Sequence, residues 1–178
     1  MIAPGTSAPR LHGQPVFGLP YDLSAARARG PVLVAFWSAL SNAGTLRNLA
    51  MLTGAWPRAD AEAGGIVAIT RSPLEAARDF VPRHHVLFPV LVDERGTFFD
   101  AWGVGRASGL AAALVRARPE PLRRALSVLR NGQPLPEAHA DQLPAAFLVG
   151  PDGAVLKAWR GQGVDDVIPM ESAWGVAA

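Results

Sequence analysis

Four polar side chains lie close together in the stretch FWSALSNAGT, residues 36–45: Ser38, Ser41, Asn42 and Thr45. Such groups at the mouth of a helix can do one of two things. They can accept hydrogen bonds from the free N–H groups of the first turn, as caps. A hydroxyl can also attack an electrophile, provided that a general base beside it takes its proton. The stretch holds no cysteine, and neither does the rest of the chain. Thiol catalysis, disulfides and thiolate metal sites are thereby excluded. A helix start that would ionise a thiol does not ionise a serine, so capping is the role these residue types favour.

A base for Ser41 would have to be a histidine brought to it by the fold. His84 and His85 precede a strand whereas Ser41 follows one, so in a parallel sheet they sit at opposite ends. His139 lies in the loop before Leu143-Pro144 and can approach the edge that carries Ser41. A Ser41–His139–Asp93 arrangement is therefore conceivable, although no spacing points to it, and triads are recognised by geometry. Adjacent histidines diverge, and no third ligand sits at a supporting spacing, so neither a metal nor a cofactor is expected. The strand ends that share Ser41's edge carry Thr70, Arg71 and Asp93. Open α/β sheets bind ligands at such ends, which makes these residues candidates for holding an anion or a small ligand.

The elements that must position these groups can be read from the apolar pattern. PVLVAFW, Pro31 to Trp37, is a continuous apolar, β-branched run of the kind that forms a buried central strand. Leu46, Leu49, Met51, Leu52, Ala55 and Trp56 recur at helical spacing, and Gly64-Gly65 ends that segment. GIVAIT, residues 65–70, predicts a second strand. SPLEAARDFVPRHH predicts a helix with Ser72 as N-cap, Pro73 at its first position and Glu75 at its third. VLFPVLVDE, residues 86–94, predicts a third strand, and FFDAWGV one helical turn. AAFLV, GPDG and AVLKAW predict a hairpin turning at Pro151-Asp152-Gly153. Upstream, residues 1–30 read as an extended lead-in with a short strand at Pro15 to Gly18. The order strand, helix, strand, helix, strand implies a parallel α/β sheet with right-handed crossovers.

A length of 178 residues suits one domain, 1–178, with an insertion at 105–135 and a tail at 161–178. Hydrophobic residues make up 49% and charged residues 18%, which is globular composition. The formal net charge of +2 is too small to argue for nucleic acid. No apolar run is long enough for a membrane span, and the start lacks the basic-then-apolar order of a secretory signal, so the chain reads as cytoplasmic.

Three motifs resemble the AhpC/TSA superfamily, in particular its peroxiredoxin-like branch with a thioredoxin-like fold. VLVAFWSALS resembles the opening of redoxin active sites, where an F-W-x-x-W-C-x-x-C pattern ends the first central strand. FPVLVDERGTFFDAWGVGR resembles the strand and short turn of peroxiredoxin-like chains. QLPAAFLVGPDGAVLKAWRG resembles their closing hairpin. The resemblance covers about residues 5–163. It implies a cis-proline at Pro144, on the Leu143–Pro144 bond, packed against the redox loop at Ser41. It also implies that Ser41 and Gly44 stand at the two cysteine positions, so that cysteines restored there should form a titratable dithiol. Three parts of the peroxide site are missing: Val34 stands for its proline, Ser41 for its cysteine and Pro144 for its arginine. Ser38-x-x-Ser41 keeps only the Ser/Thr spacing.

The function that follows is a redox-inactive homologue with a binding or scaffolding role and no catalytic residue. One alternative is an antioxidant-family oxidoreductase whose cysteines are replaced or supplied by a partner. Another is anion or small-ligand binding at the strand ends. The candidate binding set is Ser38, Ser41, Asn42, Thr45, Thr70, Arg71, Asp93 and Pro144. From Arg106 to Arg130 there are six arginines and one acid, on two short amphipathic segments. They form a solvated helical hairpin, or a surface for an acidic or anionic partner. Those segments and the apolar tail residues Val167, Ile168, Met170, Trp174 and Val176 point to a homodimer, since interfaces favour Trp, Met and Arg.

Overall fold

A computed structural model describes residues 2–108, 139 and 141–170. Its centre is β3 (Val32–Phe36) beside β4 (Gly65–Thr70). They pair in parallel, Val32 opposite Gly65 and Phe36 opposite Ile69. Both strands are buried along their whole length because both faces of the sheet are covered. That is why the two segments are apolar throughout and do not alternate. β5 (Val90–Val92) continues the parallel set beside β4, while β6 (Ala145–Val149) and β7 (Val155–Arg160) form the hairpin on the other side of β3. The order is β5-β4-β3-β6-β7. Two short strands, β1 (His12–Gly13) and β2 (Tyr21–Asp22), form a separate ribbon that leads into α1 (Leu23–Ala26).

One face of the sheet is packed by α2 (Ala43–Glu62) and α3 (Leu74–Arg83). Leu33, Ala35 and Trp37 from β3 and its continuation meet Leu49, Leu52 and Phe80 there. The opposite face is closed by α4 (Thr97–Ala101) and the chain just beyond it. Phe36 makes edge-on contacts with Phe99 at 4.9 Å and Phe147 at 5.8 Å, and Trp102 lies 5.0 Å from Phe147. The period of two along β3 thus sorts its side chains between two cores.

Several expected boundaries move. The third strand begins at Val90 and not at Val86. Pro89 has no N–H to donate to the ladder, and its carbonyl alone pairs, with Ala68 N–H at 2.9 Å. The lead-in strand at Pro15 to Gly18 reduces to a bridge from Pro15 to Leu91 and one bond from Val16 N–H to Val90 O, because the backbone turns at Gly18, φ +98°. Ser72 is not the cap of α3. That helix starts at Leu74, with Pro73 in the cap position, and the Ser72 hydroxyl accepts from Leu40 N–H at 3.0 Å instead. The hairpin turn stands as expected, with Gly153 at φ +87° and Gly153 N–H bonded to Gly150 O.

The Leu143–Pro144 bond is trans, as is every described peptide bond, which corrects the expected cis-proline. Pro144 packs on the tail: its carbonyl accepts from Gly161 N–H at 2.8 Å, and a Cβ on Gly161 would lie 2.8 Å from its ring. Residues 106–108 and 141–143 pair where the insertion leaves and rejoins the domain. Ala107 N–H bonds Asp141 O, Leu143 N–H bonds Gly105 O, and Arg106 meets Asp141 at 2.7 Å. The arginine-rich hairpin itself, 110–130, lies outside the described residues.

Candidate functional site

The C-terminal ends of β3, β4 and β5 bring most of the candidate residues to one edge. β3 runs into a buried loop in which Ser38 is 1% exposed, and α2 then begins at Ala43. Ser38 Oγ donates to Val164 O at 2.9 Å and lies 3.0 Å from Thr45 Oγ1. Thr45 Oγ1 in turn donates to Ala39 O at 2.8 Å. Both hydroxyls are thus committed to holding the loop. Asn42 occupies the cap position of α2 but its side chain makes no cap bond. Ser41 is exposed on the outer side of the loop.

Position 44 is closed. Gly44 faces the backbone of Asp165, and a Cβ there would lie 2.5 Å from Asp165 Cα. A second cysteine does not fit without displacing that segment, which corrects the expectation of a restorable dithiol. The same segment is fixed to α2 by Asn48, buried in the helix. Asn48 Nδ2 donates to Asp166 O at 3.1 Å and its Oδ1 accepts from Ile168 N–H at 2.7 Å. Val164 and Ile168 are buried, and Met170 packs against the first core, so the described part of the tail completes the domain's own interior. Asp165-Asp166 read from the sequence as a solvated polar tail, and Asn48 was not among the residues singled out. A polar side chain at a helix position that faces the core was the one available signal for Asn48.

Three helix N-termini open toward this edge, and the chain supplies a carboxylate to each. Asp165 Oδ1 accepts from Gly44 N–H of α2 at 3.3 Å. Glu94 Oε1 accepts from Leu74 N–H of α3 at 3.0 Å. Asp93 accepts from Thr97, Phe98 and Phe99 N–H of α4 at 2.9, 2.7 and 3.2 Å. The positive end of a helix is the usual attraction for a bound anion, and here it is met from within. Asp93 is therefore a cap and does not orient a histidine.

The remaining candidates are also engaged. Thr70 Oγ1 bonds Ser72 Oγ at 3.2 Å. Arg71 spans from Gln142 Oε1 at 3.3 Å to Glu94 O at 3.4 Å, which ties β4's end to the base of the insertion. His84 stacks on Phe80 at the far end of α3, as a parallel crossover requires. Among the described residues there is no cluster of three or more histidine or acidic side chains able to hold a metal ion, and no helix long and apolar enough to cross a membrane. An open cleft of about 640 Å³ lies beside β5, lined by Val16, Leu74, Val92, Arg78 and Arg95 as well as by the two capping acids.

The structure of peroxidoxin BcpB from Mycobacterium tuberculosis is similar, with 20% identity over 93% of this chain and 90% of that one, at a TM-score of 0.59. A cysteine-to-serine mutant of peroxiredoxin Q from Xanthomonas campestris shares 17% over 91% and 84%, at 0.62. A PrxQ mutant from Xylella fastidiosa shares 13% over 97% and 91%, at 0.64. At these identities the likeness is one of fold. No curated protein matches the chain. The sequence profile described as the AhpC/TSA family matches residues 3–158, from the lead-in through the closing hairpin, and so, with no cysteine anywhere in it, this chain belongs to the AhpC/TSA family.

Proposed function

We propose that the protein is a redox-inactive member of its family that acts by binding or scaffolding. The observation that carries this is the state of the two positions that the resemblance assigns to cysteine. One holds an exposed serine, and the other holds a glycine packed against backbone. Ser38, Thr45 and Asn48, which surround them, spend their polar groups on the chain's own loop and tail. A site built in this way keeps the scaffold and gives up the chemistry. Hydroperoxide and disulfide turnover by the unmodified chain should not exceed that of a heat-killed sample. The binding half is tested by affinity capture against a cysteine-free thioredoxin-fold control, and no enrichment over that control would count against it.

A cytoplasmic site of action and self-association as a dimer belong to the same reading. Ile168 and Met170 are spent on the domain's own core, while Trp174 and Val176 lie outside the described residues, so the dimer rests on Val167, on those two and on the 106–130 segment. Light scattering over a tenfold dilution tests it, and a single monomer mass throughout would remove it.

A second reading places an anionic ligand in the cleft beside β5. Arg78 and Arg95 line it and form no ion pair among the described residues, while Asp93 and Glu94 are committed to helix caps. A thermal shift with inorganic phosphate that the Arg78→Ala/Arg95→Ala double variant abolishes would support this reading. No shift in the parent would end it.

A further inference from the structure

We propose that the cleft beside β5, together with the loop at residues 14–20, docks a short segment of another protein that presents an apolar side chain next to a carboxylate. This rests on the binding reading and deepens it, by giving it a surface and a partner chemistry. The first observation is the loop, QPVFGLP, whose Gln14, Pro15 and Val16 line the cleft. Just beyond them Phe17 is 56% exposed and Leu19 87% exposed. Leu74, in the cleft wall, is exposed as well. Single apolar side chains on a surface are ordinary, but a group of them beside a cavity marks an interaction site. The loop that carries them is ordered. Pro15 is buried and bridges to Leu91, Val16 N–H bonds Val90 O at 2.8 Å, and Gln14 Nε2 donates to Gly18 O at 2.9 Å. Gly18, at φ +98°, makes the turn that leads into β2. Phe17 and Leu19 are thus held out on a fixed backbone, and covering them costs little further chain entropy.

The second observation is the charge. Arg78 lies one turn after Leu74 on α3, so the two share a face, and Arg95 comes from the loop after β5. Neither guanidinium forms an ion pair among the described residues. Asp93 and Glu94 also line the cleft, but each is turned to a helix start. What the cleft offers is therefore two guanidinium forks beside the apolar walls of Pro15, Val16 and Val92. A carboxylate beside an apolar side chain satisfies both features. The cleft volume of about 640 Å³ takes one or two side chains. Phe17 and Leu19 stand outside it, so an occupant that fills the cleft and covers them is an extended chain segment. A membrane does not match, because the site is concave and Asp93 and Glu94 would face its anionic headgroups.

A library of random dodecapeptides displayed on phage, selected on the full chain, supplies the probe. Enriched peptides should carry Asp or Glu next to an aromatic or branched apolar residue. One of them is then synthesised, and its affinity is read by fluorescence anisotropy. Leu19→Ser and Arg95→Glu should each weaken binding by about tenfold or more, and Arg78→Glu should act in the same direction. Exchanging the acid of the peptide for Lys should restore binding to Arg95→Glu and not to the parent. Leu156→Ser, at an exposed position on β7 at the other edge of the sheet, should leave the affinity unchanged. All these side chains are exposed, so the melting temperatures of the variants should match the parent's. A selection that enriches nothing over the bare support, or only peptides without an acid, would overturn the proposal. So would an affinity that Leu19→Ser and Arg95→Glu leave unchanged. If affinity capture still yields a partner in that case, the binding reading stands and only this surface is refuted. Binding of inorganic phosphate or of phosphatidylserine vesicles, with no peptide enriched, would assign the site to a small anion or a membrane instead. A two-chain mass in light scattering that Leu19→Ser reduces to one would assign it to a second copy.

Discussion

The Cα of Gly44 is set so close to Asp165 that a side chain at position 44 would begin 2.5 Å from the Asp165 backbone, while Gly44 N–H donates to the Asp165 carboxylate at 3.3 Å. The glycine is required by close approach and not by its φ angle. This contact separates the two positions that the resemblance assigns to cysteine into unlike environments. Position 41 is open to solvent, whereas position 44 is closed by the Asp165 backbone.

Ser41→Cys should therefore give a folded protein with one accessible thiol, titratable by a thiol reagent at native pH. Adding Gly44→Cys should not give an intramolecular disulfide. It should lower stability by about 1–3 kcal/mol, the usual range for forcing atoms into a filled space. Thiol titration before and after mild oxidation checks both statements. A double variant that loses both thiols on oxidation while keeping its melting temperature would show that the Asp165 segment yields easily at Gly44.

The three carboxylates at the helix starts should rank by burial and by the number of amides they serve. Asp93 is 7% exposed and caps three N–H groups, whereas Glu94 is exposed and caps one. Asp93→Ala leaves buried amides without partners and should cost about 1–3 kcal/mol. Glu94→Ala should cost less than about 1 kcal/mol, as for an exposed charge near a helix start. Denaturant midpoints of the two variants decide the ranking. Asp93→Ala should also alter the near-UV signal of Trp102, because α4 holds the aromatic cluster over Phe36 and Phe147.

Much of the fold was legible because burial on both faces leaves an unmistakable mark. The runs at 31–37 and 65–70 could be little else than central strands, and the Pro-Asp-Gly turn defines its hairpin by chemistry. Where one local signal competed with another, the sequence misled. Ser72 begins a regular capping pattern, yet its hydroxyl is claimed by Leu40 N–H from a loop 32 residues away. Pro89 lies inside an apolar run that otherwise reads as strand. The cis-proline was inferred by resemblance, and the trans bond shows that resemblance does not carry over at every residue. The segment at 163–168 left no periodic trace at all. Its aspartates look like a solvated tail, and only three-dimensional proximity reveals that Asp165 faces Gly44 and that Asn48 holds Asp166 and Ile168.

A last prediction concerns alkaline pH and the lead-in ribbon. Tyr21 begins β2 opposite Gly13 and packs against the second core, and its Oη meets no hydrogen-bond partner. Loss of hydration on burial pushes the phenol well above its ordinary value near 10, with the Arg29 charge opposing this and the Asp22 charge adding to it. The folded state thus holds its proton more tightly than the unfolded chain does. The associated stability is present in full below about pH 10 and is lost as pH rises from there toward the folded-state value. Tyr21→Phe removes the ionisable group together with a hydroxyl that has no partner, so it should be neutral or slightly stabilising at pH 7. At pH 11 the parent should lose more stability, relative to pH 7, than Tyr21→Phe does. Denaturant midpoints of both proteins at the two pH values read the difference. Equal losses would mean that the Tyr21 hydroxyl is hydrated in the folded protein, and that the ribbon does not shield it.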